Sequence, residues 1–407
     1  MLEYIYYLID ILLDLLKTFT ELYIILINNI YLDPVGNYIT KGIMFSAYFV
    51  WSVFSAYYMI GLFAYKRYKP LKDTFKTHAE LVIVTVGNNN IKDSLIEAIE
   101  ENSKFGSINI LIEEDAELID YIRNMNVNII EVPKMYRNDL IGKGRALNYF
   151  AENIAEDNKW YIFLDDDNIL LNDDIFYEIN IYDRLGYVAA NPILVPRISN
   201  SKITYIMDWI RYFDDLLVFR TFTGLLKRPL IGLHGEMLTV KGKVLREIGF
   251  KDKTLTEDFR FGCELVRKGY KTWQSNTKVS ILSPNNIGDL YKQRGRWFSG
   301  LIHDVSTSVP LMRIIVLTRL ISWILGIFGS WVFAILWILF EPFWYTIVGG
   351  VLYWYIYAYG VKRVGDWKFL FLIPIYGILE SSSWIKGVGC KEFVVIDKNH
   401  IKLDVRT

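Results

Sequence analysis

Two apolar runs without a single charge sit near the two ends of the chain and leave only the middle free to fold in water. Ile43 to Tyr65 contains no Asp, Glu, Lys or Arg, and neither does Leu320 to Phe340. About twenty such residues are what a helix needs to cross a bilayer core. Lys66, Arg67 and Lys69 follow the first run, so the positive-inside rule puts the next segment in the cytoplasm. Glu341 and Pro342 break the second run, Phe343 to Gly360 can return, and Lys362 and Arg363 mark the cytoplasmic side again. The shorter run Phe369 to Leu379 holds Pro374, stops at Glu380 and reads as interfacial or re-entrant. In the first thirty residues, Glu3, Asp10, Asp14, Lys17 and Glu21 fall on one helical stripe about 60° wide. That pattern predicts an amphipathic helix on the membrane, or a spanning helix whose polar stripe faces protein. The acidic start argues against a cleaved signal peptide.

Lys plus Arg equals Asp plus Glu, at 45 each, so bulk charge gives no reason to expect a nucleic-acid partner. The two cysteines, Cys263 and Cys390, are far apart and form no CxxC site. No histidine stands in an HxxxH or HExxH arrangement, which argues against a zinc enzyme. The composition predicts a membrane-associated start (1–76), a cytosolic folded body (77–300), C-terminal transmembrane and interfacial helices (301–390) and a cytosolic tail (391–407).

Within the body, "ELVIVTV" (80–86), "INILIEE" (108–114), "VNIIEV" (127–132) and "WYIFLD" (160–165) read as buried strands. Helical stretches at 91–103, 116–124 and 142–154 separate them. This alternation predicts an α/β fold with a doubly wound, mostly parallel sheet, whose ligands bind at the carboxyl ends of the strands. Asp165, Asp166 and Asp167 sit at one such end. Adjacent acids repel, and a bound Mg²⁺ or Mn²⁺ shared with phosphates would relieve them. Side chains alternate along an extended segment, so Asp165 and Asp167 form the expected ligand pair and Asp166 points elsewhere. A solvated acidic turn is the plainer alternative.

Two further motifs lie downstream. In "TLTEDFRFGCELVRKGYKTW" (254–273), Thr256 can cap a helix that starts with Glu257 and Asp258, where the helix dipole alone explains an acid. In "YKQRGRWFSG" (291–300), Gln293, Arg296 and Trp297 share one helical face. An amide, a guanidinium and an indole suit a diphosphate and a sugar ring, or else a basic helix on lipid headgroups.

The order of a strand-end DxD, then TED, then QxxRW, then a membrane run resembles the membrane-embedded family 2 glycosyltransferases, such as cellulose, chitin and hyaluronan synthases. The resemblance covers roughly residues 79 to 300. A further segment, "KEFVVIDK" (391–398), is similar to the FxVTxK gating loop of cellulose synthases, with Phe393, Val395 and Lys398 matching and Ile396 replacing the hydroxyl residue. "VTVG" (84–87), "GKGRALN" (142–148) and "GLHGEMLTV" (232–240) look most like the egghead-type β-1,4-mannosyltransferases, although Gly87 stands where many relatives carry a polar pair.

The resemblance implies a GT-A-type fold and an inverting displacement on a nucleotide-sugar at the membrane, with Mg²⁺ or Mn²⁺ as cofactor. Asp258 matches the family's catalytic base. Asp167 is the expected direct metal ligand, with Asp165 nearer the nucleoside and His234 a third ligand or an acceptor contact. Thr85, Glu113, Lys143, Arg145, Gln293, Arg296 and Lys398 match donor-binding positions, and Arg294 is an additional phosphate contact. Trp297, Glu257, His234 and Glu236 fall on the acceptor side. The segment 205–222, with Arg211 and Arg220 among apolar residues, is expected to form an interfacial helix pair. The acceptor is a lipid-linked or growing glycan. Single addition and processive export both stay open, as do the donor sugar and the oligomeric state. A degenerate scaffold would lack one of these motif residues, and a phosphotransferase would show a P-loop.

Overall fold

The computed structural model describes residues 34–339 and 344–390. The N-terminal amphipathic segment, the break at Glu341 and Pro342, and the "KEFVVIDK" segment with Lys398 lie outside the described residues.

Among the described residues, eight strands form one mixed sheet: β1 (Glu80–Thr85), β2 (Ile108–Glu113), β3 (Asn128–Val132), β4 (Trp160–Asp165), β5 (Ile169–Leu170), β6 (Tyr187–Arg197), β7 (Met237–Lys241) and β8 (Lys271–Leu282). Their order is β3-β2-β1-β4-β7-β6-β8-β5. Only β5 and β7 run against the rest, so the sheet is mostly parallel as expected.

Strand β1 is apolar on both faces because both are covered. Leu81 and Ile83 pack with Leu95, Ala98 and Ile99 of the helix Lys92–Asn102. Val82 and Val84 pack on the other side with Ala146, Leu147 and Phe150 of the helix Gly142–Asn153. That is the period of two expected of a strand between two helical layers.

The topology gathers chemistry at one edge. Parallel β1, β2 and β4 all end there, at Thr85, Glu113 and Asp165. Antiparallel β7 starts there, pairing Met237 with Leu164, so it delivers His234–Glu236 to the same edge. Gly87 turns the chain away from β1 with φ +66°, and a Cβ there would lie 2.5 Å from Ile112 Cδ1. No side chain fits such a position without strain.

The segment 205–222 is not a helix pair. The helix Lys202–Asp214 runs directly into a wider π-helix, Asp215–Leu225. Both of its arginines are engaged by protein groups. Arg211 bonds Glu236, while Arg220 lies 4.2 Å from the Tyr68 ring centre and donates to Asn276.

Two long helices, Pro34–Arg67 and Pro310–Leu339, pack on this segment and on each other. Within them, Lys41–Arg67 and Pro310–Phe328 are long and apolar enough to cross a membrane. A third helix, Trp344–Val364, lies against both Pro34–Arg67 and Lys202–Asp214. The run around Pro374 is broken into a 3₁₀ stretch, Trp367–Leu372, and a short helix, Ile373–Ser382, with its proline in the first turn, where its missing N–H costs nothing.

Candidate active site

A cavity of about 510 Å³ opens at the carboxyl edge of the sheet and continues between the long apolar helices. Asp165, Asp166 and Asp167 all line it. The expected alternation stops at Asp165, because β4 ends there and the chain turns, with the Asn168 N–H donating to the Asp165 carbonyl at 3.1 Å. Asp166 is therefore not turned away. Its carboxylate accepts from the Thr85 hydroxyl at 3.0 Å, and the same hydroxyl accepts from the Gly87 N–H. Thr85 thus fixes the acidic turn with its side chain.

Lys143 is the counter-charge. Its ammonium donates to Asp165 at 2.6 Å and to the Gly235 carbonyl. Burial works against this charge, but Asp165 and then Glu257 more than offset it and hold Lys143 above the ordinary lysine range. Its side chain is only 10% exposed.

Arg145 is buried too, but its guanidinium does not line the cavity. It bonds Glu113 and the carbonyls of Pro133, Lys134 and Tyr136. Glu113 faces the cavity with Arg145 behind it. Instead of the expected place on the donor side of the cavity wall, Arg145 lies behind Glu113 with four of its five N–H donors bonded to protein.

Glu257 and Asp258 head the helix Glu257–Arg267 and both line the cavity. Thr256 occupies the cap position but does not cap. Its hydroxyl donates to Asp304 at 3.0 Å, as does that of Thr254. Asp304 ends the helix Ile287–Asp304, which carries Gln293, Arg296 and Trp297. The two motif helices are therefore latched together, and Arg296 adds a bond to the Leu255 carbonyl at 3.2 Å. Burial and then the Asp258 carboxylate push Glu257 up to about 7. Burial, then Glu236, also push Asp258 above the usual carboxylate range.

Glu236 behaves differently. Burial works against its charge, but Arg211 and then His234 outweigh that and bring it down to about 2. His234 Nε2 lies 2.5 Å from Asp215 and its ring 4.2 Å from Phe219. Burial lifts Asp215, while Asp215, against burial of the charged ring, lifts His234. Among the described residues no three His, Cys, Asp or Glu side chains form a metal-holding group. His234 therefore does not complete a ligand set with Asp165 and Asp167, because Asp215 holds its Nε2.

Arg294 is the clearest correction. Its side chain is 1% exposed and bonds Asp208, Glu380 and Gln293. Although Arg294 borders the cavity, its guanidinium is already held between two carboxylates, which argues against the expected phosphate contact. Trp297 faces the cavity, but Arg294 and Arg211 lie 4.4 and 4.8 Å from its ring centre, so cations use ring surface that a sugar was expected to take.

Carboxylates outnumber basic side chains along the cavity wall. An anionic diphosphate needs extra positive charge to enter such a wall. Hard carboxylate oxygens at Asp165 and Asp167 fit Mg²⁺ or Mn²⁺, which use one or two carboxylates together with substrate phosphates.

Residues 160–378 match the family model for glycosyl transferase family group 2. The chain belongs to that family. It is 24% identical over 241 residues to the β-1,4-mannosyltransferase bre-3 of Caenorhabditis elegans, covering 56% of this chain and 52% of that protein. It is 28% identical over 213 residues to the poly-β-1,6-N-acetyl-D-glucosamine synthase of Staphylococcus epidermidis, covering 48% of each. The chain thus spans about half the length of the curated relatives it matches. Among solved structures it resembles a mannosyltransferase from Pyrobaculum calidifontis in complex with GDP-Man and Mn²⁺. The TM-score is 0.51 at 13% identity, over 85% of this chain and 100% of the other. At that identity the likeness concerns the fold, which is of GT-A type.

Proposed function

We propose that this family 2 glycosyltransferase is a metal-dependent inverting hexosyltransferase acting at a membrane. In this reading a hexose moves from GDP-mannose or a UDP-sugar to a hydroxyl of a lipid-linked or growing glycan, forming a β-linkage. One observation carries the reading: the strand-end acids and the Asp258 helix share a single cavity that runs on between two helices of spanning length.

The arrangement of these residues supports the following roles. Glu113, held by Arg145, and the turn at Thr85 receive the nucleoside. Asp165 and Asp167 would hold the divalent cation beside the donor's diphosphate. The cation, when bound, neutralises charge that builds on the leaving diphosphate. Lys143 and Arg296 supply further positive charge on the same wall. Asp258 accepts the acceptor's proton as the new glycosidic bond forms and the bond to the diphosphate breaks. Its raised proton affinity suits a base that must hold that proton, and Glu236, low at about 2, stays ionised nearby. The Arg211–Glu236–His234–Asp215 chain shapes the acceptor side.

The similarity to a poly-β-1,6-N-acetyl-D-glucosamine synthase favours a second reading, processive synthesis along the same cavity. One experiment tests both. Purified protein in lipid is given a panel of nucleotide-sugars, and released nucleoside diphosphate and product length are measured. Divalent-dependent release that EDTA abolishes is expected from at least one donor. Release from none of the donors in the presence of Mg²⁺ or Mn²⁺ and membrane lipid would refute the transfer reading. A polymer ladder would replace single addition by the processive reading.

A further inference from the structure

The acidic turn is tied through its backbone to residues outside the cavity wall. Asp165, Asp166, Asp167 and Asn168 line the cavity, whereas Glu97, Asn102 and Arg197 do not. Arg197 ends strand β6 and donates from Nη2 to the Asp167 carbonyl at 2.9 Å. Its Nη1 donates to Glu97 on the helix Lys92–Asn102. Asn102, at the end of that helix, is fully buried. Its Nδ2 donates to the Asn168 carbonyl at 2.8 Å, and its Oδ1 accepts from the Leu170 N–H at 2.8 Å. An asparagine at a helix end ordinarily bonds neighbouring backbone. The Asn102 side chain makes no such cap bond and reaches the turn instead.

One helix therefore grips two successive carbonyls: that of Asp167 through Glu97 and Arg197, and that of Asn168 directly. Three successive carboxylates repel one another, and a turn free to open would present them in many arrangements. A cation that had to order such a turn would bind more weakly by the entropy it must remove. The clamp does this ordering in the folded protein through backbone carbonyls, so it occupies no carboxylate oxygen in doing so.

The clamp is also balanced in charge. Arg197 is met by Glu97, and Asn102 is neutral. Its effect on a cation therefore comes from geometry and not from added field. We infer that Asn102 and the Arg197–Glu97 pair are positioning residues for the cation site, which set the Asp165–Asp167 turn before cation and donor arrive. The inference rests on the reading of Asp165 and Asp167 as the cation's ligands.

The test uses the full chain in nanodiscs without acceptor. Mn²⁺ is titrated in the presence of GDP or of UDP, and free Mn²⁺ is read from its electron paramagnetic resonance signal. The double variant Arg197→Met/Glu97→Gln removes both charges and leaves the net charge beside the turn unchanged. It should bind Mn²⁺ at least about tenfold more weakly than wild type, the scale on which groups that orient metal ligands act. At saturating Mn²⁺ its nucleotide binding should return to within about threefold of wild type, which a collapsed site would not allow. Asn102→Ala, read in the same way, should show the same pattern, and it decides should the double variant fail to fold. A smaller loss of Mn²⁺ affinity, or nucleotide binding that stays lost at saturating Mn²⁺, overturns the clamp and leaves the metal reading standing. Wild-type protein that binds no Mn²⁺ with either nucleotide refutes the metal reading itself.

Discussion

Replacing Arg294 separates two accounts of the QxxRW helix. The side chain is fully buried between Asp208, 1% exposed, and Glu380. Arg294→Met keeps much of the volume but leaves two carboxylates without their cation. Breaking a buried ion pair from one side costs about 3–5 kcal/mol, because the remaining charge is stranded. Asp208→Asn should cost less, since the guanidinium keeps Glu380, and adding Asp208→Asn and Glu380→Gln to Arg294→Met should recover much of the loss. At about 2 °C per kcal/mol for a chain this large, Arg294→Met should lower the apparent Tm by roughly 6–10 °C. The assay pairs thermal unfolding in lipid with nucleotide binding by the protein that remains folded. The expected result is a large thermal loss with nucleotide affinity within about threefold of wild type. Wild-type stability together with a large loss of nucleotide affinity would refute the buried-hub account and return Arg294 to the donor site.

Three more outcomes follow from the site. Asp167→Asn should abolish divalent-dependent nucleotide binding, and EDTA-insensitive, undiminished binding in that variant would remove Asp167 from the metal site. Gly300→Ala places a Cβ 2.5 Å from Thr256 Cγ2 and 2.7 Å from its hydroxyl, so it should disturb the Thr254–Thr256–Asp304 latch. Donor turnover should drop at least tenfold at roughly 1–3 kcal/mol of destabilisation, read by turnover and Tm together. The raised value of Glu257 means that the folded state binds a proton the unfolded chain has released, in the window from its ordinary value up to about 7. Stability should therefore fall as pH rises through that window, and Glu257→Gln should flatten the Tm-against-pH curve there. An unaltered curve would mean that Glu257 titrates as an ordinary carboxyl.

The first half of the sheet was legible because β1 to β4 are short, continuous apolar runs with helices between them. β8 was not, since Thr272, Gln274, Ser275 and Thr277 break its apolar pattern although all are buried. Gln274 is accommodated by donating to the Pro192 carbonyl, a partner far off in sequence. β7 carried no mark of its antiparallel direction, which depends on long-range pairing with β4. The strand-end acids and the Glu257–Asp258 pair were visible as local motifs. What surrounds them was not. Arg294 meets Asp208 and Glu380, each 86 residues away, and His234 meets Asp215 from another element, so no local spacing reports them. Residue type alone placed Arg145, Arg294 and Trp297 against ligand, whereas burial places the two arginines against protein and surrounds the Trp297 ring with guanidinium groups.

The most direct measurement is transfer by Asp258→Asn beside wild type, with donor affinity determined on the same samples. Asp258 heads its helix at the cavity, and the neighbouring Glu257 is rotated about 100° away, so one should not replace the other. The variant should bind nucleotide-sugar and divalent cation as wild type does, yet transfer sugar at least about a hundredfold more slowly, the scale of one general base. Transfer at a near wild-type rate with normal donor affinity would contradict the assignment and place the base elsewhere.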